Sequence, residues 1–214
     1  DEDGRRRAKP TVNVIIDNCK VFQGHGGFVV GSEMSAGVKN VSVTNCQFLG
    51  TDVGLRFKST RGRGGVVENI YIKDINMFDI ATESFLFDLY YGGKSAVESL
   101  DDGDVLVSSN NSTPKVDETT PAFKNIHVEN LVSRNARRAM FFNGLPETNI
   151  ENINVKNVSI TAAIGAELVE SKDIVFENVK IVPKQGPAFI FKNVQNFRGT
   201  DLIYPDSLSE VVKI

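Results

Sequence analysis

The chain has 214 residues, a net charge of −3 at neutral pH and a pI near 5.5. That length suits one domain or one elongated array with a sizeable core, and the weakly acidic balance argues against a generally basic nucleic-acid binder. Two cysteines, Cys19 and Cys46, are too few for a disulfide framework or a zinc site, there is no phosphate-cradling loop, and no run of about 18 apolar residues offers a membrane-spanning helix, so no nucleic-acid, membrane, metal or cofactor partner is expected.

Residues 1–10 are charged and lack the apolar segment of a secretory leader. They do not begin with methionine, and the expectation is a chain that starts inside a longer protein. From residue 13 one pattern returns: "NVIIDNCKVF" at Asn13, "NVSVTNCQFL" at Asn40, "NIYIKDINMF" at Asn69, "NIHVENLVSR" at Asn125, "NINVKNVSIT" at Asn152 and "DIVFENVKIV" at Asp173. The starts are 27, 29, 56, 27 and 21 residues apart, and the doubled gap holds a long polar insertion at 92–121. One unit per roughly 20 to 30 residues marks a solenoid.

Within each unit, β-branched residues alternate. Val14 and Ile16, Val41 and Val43, Ile70 and Ile72, Ile126 and Val128, Ile153 and Val155 share a face, a period of two that means strands. About 14 residues on comes a second strand: "GFVVGS", "GLRFKS", "SFLFDLYY", "AMFFNG", then the weaker "GAELVE" and "PAFIFKN". No amphipathic helical window separates them, and leucine-rich repeats do not fit. The sixth position of the unit is Asn18, Asn45, Asp74, Asn130, Asn157 or Asn178. Stacked at ~4.8 Å, such a column can hydrogen-bond along the stack and satisfy the turn backbone. The expected fold is therefore all-β, a parallel β-helix in a single domain over 1–214. Cys19 and Cys46 follow this column and stack; a disulfide is geometrically allowed, and two reduced thiols in line with Ile75 and Leu131 is the preferred reading.

The first two units, aligned on Asn13 and Asn40, place His25 opposite Asp52. Phe28 and Val30 match Leu55 and Phe57 on the core side, so Arg56 and Lys58, matching Val29 and Gly31, point outward. His25, inside the turn "GHGG", then shares an outer wall with Arg56 and Lys58. In the third unit Leu86, Asp88 and Tyr90 continue the outward face, Tyr90 or Tyr91 can bring a ring near the cations, and "STRGRGGV" adds Arg61 and Arg63. Cations with an aromatic edge suit an acidic carbohydrate, because guanidinium and ammonium pair with carboxylates and rings pack on sugar faces. His127 sits in an outward structural slot matching Ile15, Ser42, Tyr71 and Asn154, and the acidic run at 101–107 reads as solvated loop.

"GHGG" followed by "GSE", then "GTDVGLRFKSTRGRGGVVENI", resembles the polygalacturonase family of glycoside hydrolases, family 28. The family's Gly-His-Gly and Arg-Ile-Lys motifs stand in the right order, the second reading Arg56-Phe57-Lys58 here. The resemblance implies a right-handed parallel β-helix that hydrolyses α-1,4-linked galacturonic acid in pectin with inversion. It implies that His25 supports the acid's protonation state, that Arg56 and Lys58 bind the uronate carboxylate, and that Tyr91, with Tyr90 as the alternative, contacts the sugar. Inversion requires two carboxyls roughly 6.5 to 9.5 Å apart. The family takes them from Asn-Thr-Asp and Asp-Asp motifs upstream of Gly-His-Gly, and neither motif is in this sequence. The expectation is a fold truncated at its N-terminal end that lacks acid and base, is inactive alone, and belongs to a protein secreted or periplasmic because its substrate is a polymer. A pectate lyase-like β-helix and a non-catalytic carbohydrate-binding β-helix are the alternatives. Endo against exo action and plain against decorated pectin stay open.

Overall fold

The computed structural model describes residues 2–92 and 113–214. The acidic run at 101–107 lies outside the described residues. A short helix, α1 (Glu2–Arg7), precedes the strands β1 (Thr11–Asp17), β2 (Lys20–Phe22), β3 (Phe28–Gly31), β4 (Val38–Leu49), β5 (Leu55–Lys58), β6 (Val66–Asp88), β7 (Ala122–Asn143), β8 (Ile150–Pro183), β9 (Phe189–Gln195), β10 (Arg198–Ile203) and β11 (Val212–Lys213). The strands pair in parallel, in the order β1-β4-β6-β7-β8-β9-β11, with β2, β3, β5 and β10 stacked on the same winding path. This is the parallel β-solenoid that the repeat calls for. The all-β expectation did not include this helix. It is tethered by Arg5, whose Nη1 donates to the Arg63 carbonyl at 2.9 Å.

β6, β7 and β8 run 23, 22 and 34 residues, far beyond the usual 3–10. They are that long because they bend without losing their ladders. At the bends single residues take left-handed backbone: Asn69, Asp74 and Asp79 in β6, Asn125, Asn130 and Asn135 in β7, Asn152, Asn157, Glu170, Asp173 and Asn178 in β8. Asn and Asp tolerate that region better than other side-chain-bearing residues. The asparagine column of the sixth position therefore has a companion at the first position, which the alignment used only as a starting mark. Both columns are hydrogen-bonded from coil to coil. Asn40 Nδ2 donates to Asn13 Oδ1 at 3.1 Å, Asn152 Nδ2 to Asn125 Oδ1 at 2.7 Å, Asn130 Nδ2 to Asp74 Oδ1 at 3.0 Å and Asn157 Nδ2 to Asn130 Oδ1 at 3.1 Å. Asn45 reaches instead to Asp17 Oδ1 at 2.9 Å, beside Thr44 Oγ1 at 2.6 Å. Those side-chain bonds hold the Asp17 carboxyl below its ordinary value.

The interior is filled by the inward residues of successive coils. Phe57 and Phe87 stack with centroids 4.6 Å apart, and Phe87 meets Phe142 edge-on at 4.7 Å. All three are fully buried. These rings lie directly behind Arg56 and Lys58 and make the wall that carries the cations rigid. Cys46 stacks between the first coil and Ile75, and both cysteines are free. The Cys19 and Cys46 thiols donate to the carbonyls of Asp17 and Thr44, and burial pushes the Cys46 thiol up.

Asn130 separates the two jobs of a corner residue. Asn130→Ala should destabilise the chain by about 2 kcal/mol or more in urea or thermal unfolding, from the ~1–2 kcal/mol cost of left-handed backbone plus lost ladder bonds. Asn130→Gly should recover more than half of that loss. Equal effects of the two substitutions would contradict the backbone explanation.

Candidate functional site

The site begins with the turn between β2 and β3. His25 sits there, its side chain 93% exposed, and its Nδ1 is 2.6 Å from Asp52 Oδ2 one coil on. A carboxylate only accepts, so Nδ1–H donates and Nε2 is left facing away from Asp52. The neighbouring glycines are there for space. A Cβ on Gly27 would run into the Phe48 ring, and one on Gly26 into Val29. Without side chains the turn lies flat on the core, close enough for Arg56 to reach it: Arg56 Nη1 donates to the His25 carbonyl at 3.2 Å. Arg56 Nε is buried and has no hydrogen-bond partner.

The expected stacking of the third side of the coil is observed residue for residue. Phe28 pairs with Leu55, Val29 with Arg56, Val30 with Phe57 and Gly31 with Lys58. Arg56 and Lys58 then stack on Leu86 and Asp88 of β6. Just beyond β6 the chain turns through Tyr90 and Tyr91. The Tyr90 N–H donates to Asp88 Oδ1 at 2.9 Å and the Tyr91 N–H to the Ser59 carbonyl at 3.0 Å. This swings the Tyr91 ring over the cations: Lys58 Nζ lies 4.2 Å and the Arg56 guanidinium carbon 6.0 Å from its centroid. His25, Arg56, Lys58 and Tyr91 are thus gathered on one outer wall.

Tyr90, Arg61 and Arg63 do something different. Arg61 grips Glu147 with two parallel bonds, Nε to Oε1 at 2.5 Å and Nη2 to Oε2 at 2.8 Å, while the Glu147 side chain is only 3% exposed. Its guanidinium also lies 5.2 Å from the Tyr90 centroid. Arg61 therefore ties the 60–63 turn to the 144–149 loop and backs the tyrosine pair. Arg63 lies at the foot of that turn, its carbonyl taken by Arg5. Burial pushes the Glu147 carboxyl up, but the Arg61 hydrogen bonds, its own backbone N–H and the Arg61 charge outweigh this and hold it below 4.5. Burial likewise raises the Tyr90 hydroxyl, against the opposing pull of Arg61. Sequence reading missed Glu147 because 86 residues separate it from Arg61 and no motif marks it. Asp52 was legible as a stacking neighbour of His25, but its hydrogen bond was not.

Two outcomes follow from this geometry. Asp52→Ala removes the acceptor that fixes the imidazole, so the ¹⁵N spectrum of His25 should shift from an Nδ1–H form toward the mixture of a free histidine; an unchanged spectrum would contradict the assignment. Glu147 titrates below its unfolded value, so its ion pair stabilises the fold fully above pH ~4.5 and is lost as pH falls through the lower folded value. Thermal melts of Glu147→Gln should be lower than wild type at pH 7 and converge with it in acid. Parallel curves at all pH values would refute that role.

Residues 7–108 match the family model described as Glycosyl hydrolases family 28. A probable polygalacturonase of Vitis vinifera is 26% identical over 170 residues, covering 79% of this chain and 31% of that protein. A polygalacturonase of Ralstonia solanacearum is 38% identical over 86 residues, 38% of this chain and 16% of that protein. Among solved structures, a hyperthermoactive exopolygalacturonase from Thermotoga maritima superposes with a TM-score of 0.69 at 27% identity, over 85% of this chain and 36% of that one. The chain thus spans about a third or less of the length of these relatives. The family match contains the whole wall of His25, Arg56, Lys58 and Tyr91, and the solved relative shares the solenoid that builds it: over residues 7–108 the chain is similar to glycosyl hydrolases family 28.

Proposed function

We propose that this chain supplies the uronate-binding wall of a polygalacturonase, an enzyme that hydrolyses α-1,4-linked galacturonic acid in pectin with inversion. The observation that carries the reading is the convergence of Arg56, Lys58 and Tyr91 beside His25, in a chain whose relatives are named polygalacturonases. A guanidinium and an ammonium two residues apart on one strand offer charge-assisted hydrogen bonds to a sugar carboxylate. The Tyr91 ring provides an apolar face for the pyranose. His25 is held through Nδ1 by Asp52, which leaves Nε2 as the ring nitrogen for a general-acid carboxyl to meet.

In this reading the sugar contacts are His25, Arg56, Lys58 and Tyr91, while Arg61 and Tyr90 hold the turn that aims Tyr91. The Asn-Thr-Asp and Asp-Asp motifs that carry the acid and base in the resemblance are not among these residues, so the reading assigns this chain binding rather than proton transfer. The whole domain is one β-helix. A polymeric substrate of plant cell walls puts the protein outside the cytoplasm. The lyase alternative differs in product: hydrolysis leaves saturated ends, whereas elimination leaves an unsaturated sugar that absorbs in the ultraviolet.

Arg56→Ala and Lys58→Ala, tested on the chain by isothermal titration with digalacturonate, should each weaken binding by about tenfold or more, the scale of losing a hydrogen bond to a charged group. Added salt should weaken wild-type binding as well. Unchanged affinity in both variants would defeat the uronate reading and favour a structural solenoid.

A further inference from the structure

After β6 the chain leaves the wall through Leu89, Tyr90 and Tyr91, and each of their backbone N–H groups has a different partner. The Leu89 N–H donates to the Asn143 carbonyl at 3.0 Å, the Tyr90 N–H to Asp88 Oδ1 at 2.9 Å and the Tyr91 N–H to the Ser59 carbonyl at 3.0 Å. The first and last acceptors are main chain of the neighbouring coils, fixed by the strands themselves. The middle acceptor is a side chain, so the path of the turn depends on how the Asp88 carboxylate is aimed. Asn143 does the aiming: its Nδ2 donates to the same Asp88 Oδ1 at 3.1 Å. Asn143 ends β7 and follows Lys58 and Asp88 in one ladder column. Lys58 and Asp88 are partly exposed, whereas Asn143 is 1% exposed. A buried amide is costly to desolvate, and an apolar side chain would fill the slot without that cost.

We propose that Asn143 is a positioning residue for uronate binding, acting from the next coil through Asp88 and without touching the sugar. The proposal rests on the uronate reading of Arg56 and Lys58. Two donors on one carboxylate oxygen hold that oxygen against the Tyr90 N–H. The turn is then set, and the Tyr91 ring stays over the Lys58 ammonium, 4.2 Å from ring centroid to Nζ. Without the Asn143 amide the carboxylate is free to rotate, Tyr90 loses its acceptor and Tyr91 leaves the cation. Ring and cation held in place before the sugar arrives spare the complex the entropy of ordering the turn.

The test reads the turn and the binding separately. In ¹H–¹³C spectra of the full chain labelled at lysine Cε, the Tyr91 ring should push the Lys58 ε protons upfield, and Tyr91→Leu should abolish that shift. Asn143→Leu, close in volume, should move the Lys58 signal more than halfway to its Tyr91→Leu position. The same variant should weaken digalacturonate binding about fivefold by isothermal titration. Asp88→Ala, at a partly exposed position, should do the same and keeps the test readable if Asn143→Leu does not fold. Asp88→Asn, which retains an Oδ1 acceptor, should hold the Lys58 signal near wild type. A residue that only stabilised the fold would lower the melting temperature and leave the signal in place. An unmoved signal in Asn143→Leu and Asp88→Ala overturns the positioning role, as does full affinity in a variant whose signal has moved. Unchanged affinity in Arg56→Ala and in Lys58→Ala instead defeats the uronate reading, while the ligand-free spectra still report whether Asn143 aims the turn.

Discussion

Everything in this chain depends on left-handed backbone at asparagine and aspartate corners, held in line by side-chain amides bonded from coil to coil. The corners let a hydrogen-bonded strand turn without ending. They also fix the register, because each corner residue finds its partner only when its coil sits directly above the one before. Side chains alternate with period two, so a slip of one residue would turn Arg56 and Lys58 inward and Phe57 outward. The apolar columns add the penalty for such a slip, with Phe57, Phe87 and Phe142 locked ring against ring behind the wall.

Fixed register converts spacing in the sequence into neighbours in space. His25 and Asp52 are 27 residues apart and meet at 2.6 Å because each lies at the same place in its coil. The Gly-His-Gly turn completes the arrangement. Its glycines sit against Phe48 and Val29, where a Cβ has no room, and their closeness to the core lets the Arg56 guanidinium reach the turn's carbonyl. The wall is therefore assembled in layers: corners set the register, the core sets the plane, and the turn places histidine beside arginine. The Arg61–Glu147 clamp is a separate device, which fastens a loop from a later coil under the tyrosine pair.

The solenoid was legible because its cause is periodic. Alternating Val and Ile and the returning asparagine are local signals, and the alignment of Asn13 with Asn40 foretold the pairing of Val29 with Arg56 and of Gly31 with Lys58. The choice between Tyr90 and Tyr91 was not legible. It depends on how the chain leaves β6, where Asp88 and Ser59 capture successive N–H groups and divide the tyrosines between Arg61 and Lys58. Arg61 looked like one more cation because its partner, Glu147, arrives from a loop beyond the insertion, where the period is broken. α1 escaped notice for a related reason: one helical turn held by Arg5 through a tertiary contact leaves no periodic trace.

The central claim is that outward stacking of Arg56 and Lys58, roofed by Tyr91, makes a place for a uronate. A crystal structure of the chain with digalacturonate tests it most directly. The account predicts a sugar carboxylate within hydrogen-bond distance of Arg56 and Lys58, with the pyranose against the Tyr91 ring and His25 Nε2 facing the glycosidic side. Digalacturonate bound elsewhere on the solenoid, with Arg56 and Lys58 left in water, would contradict it.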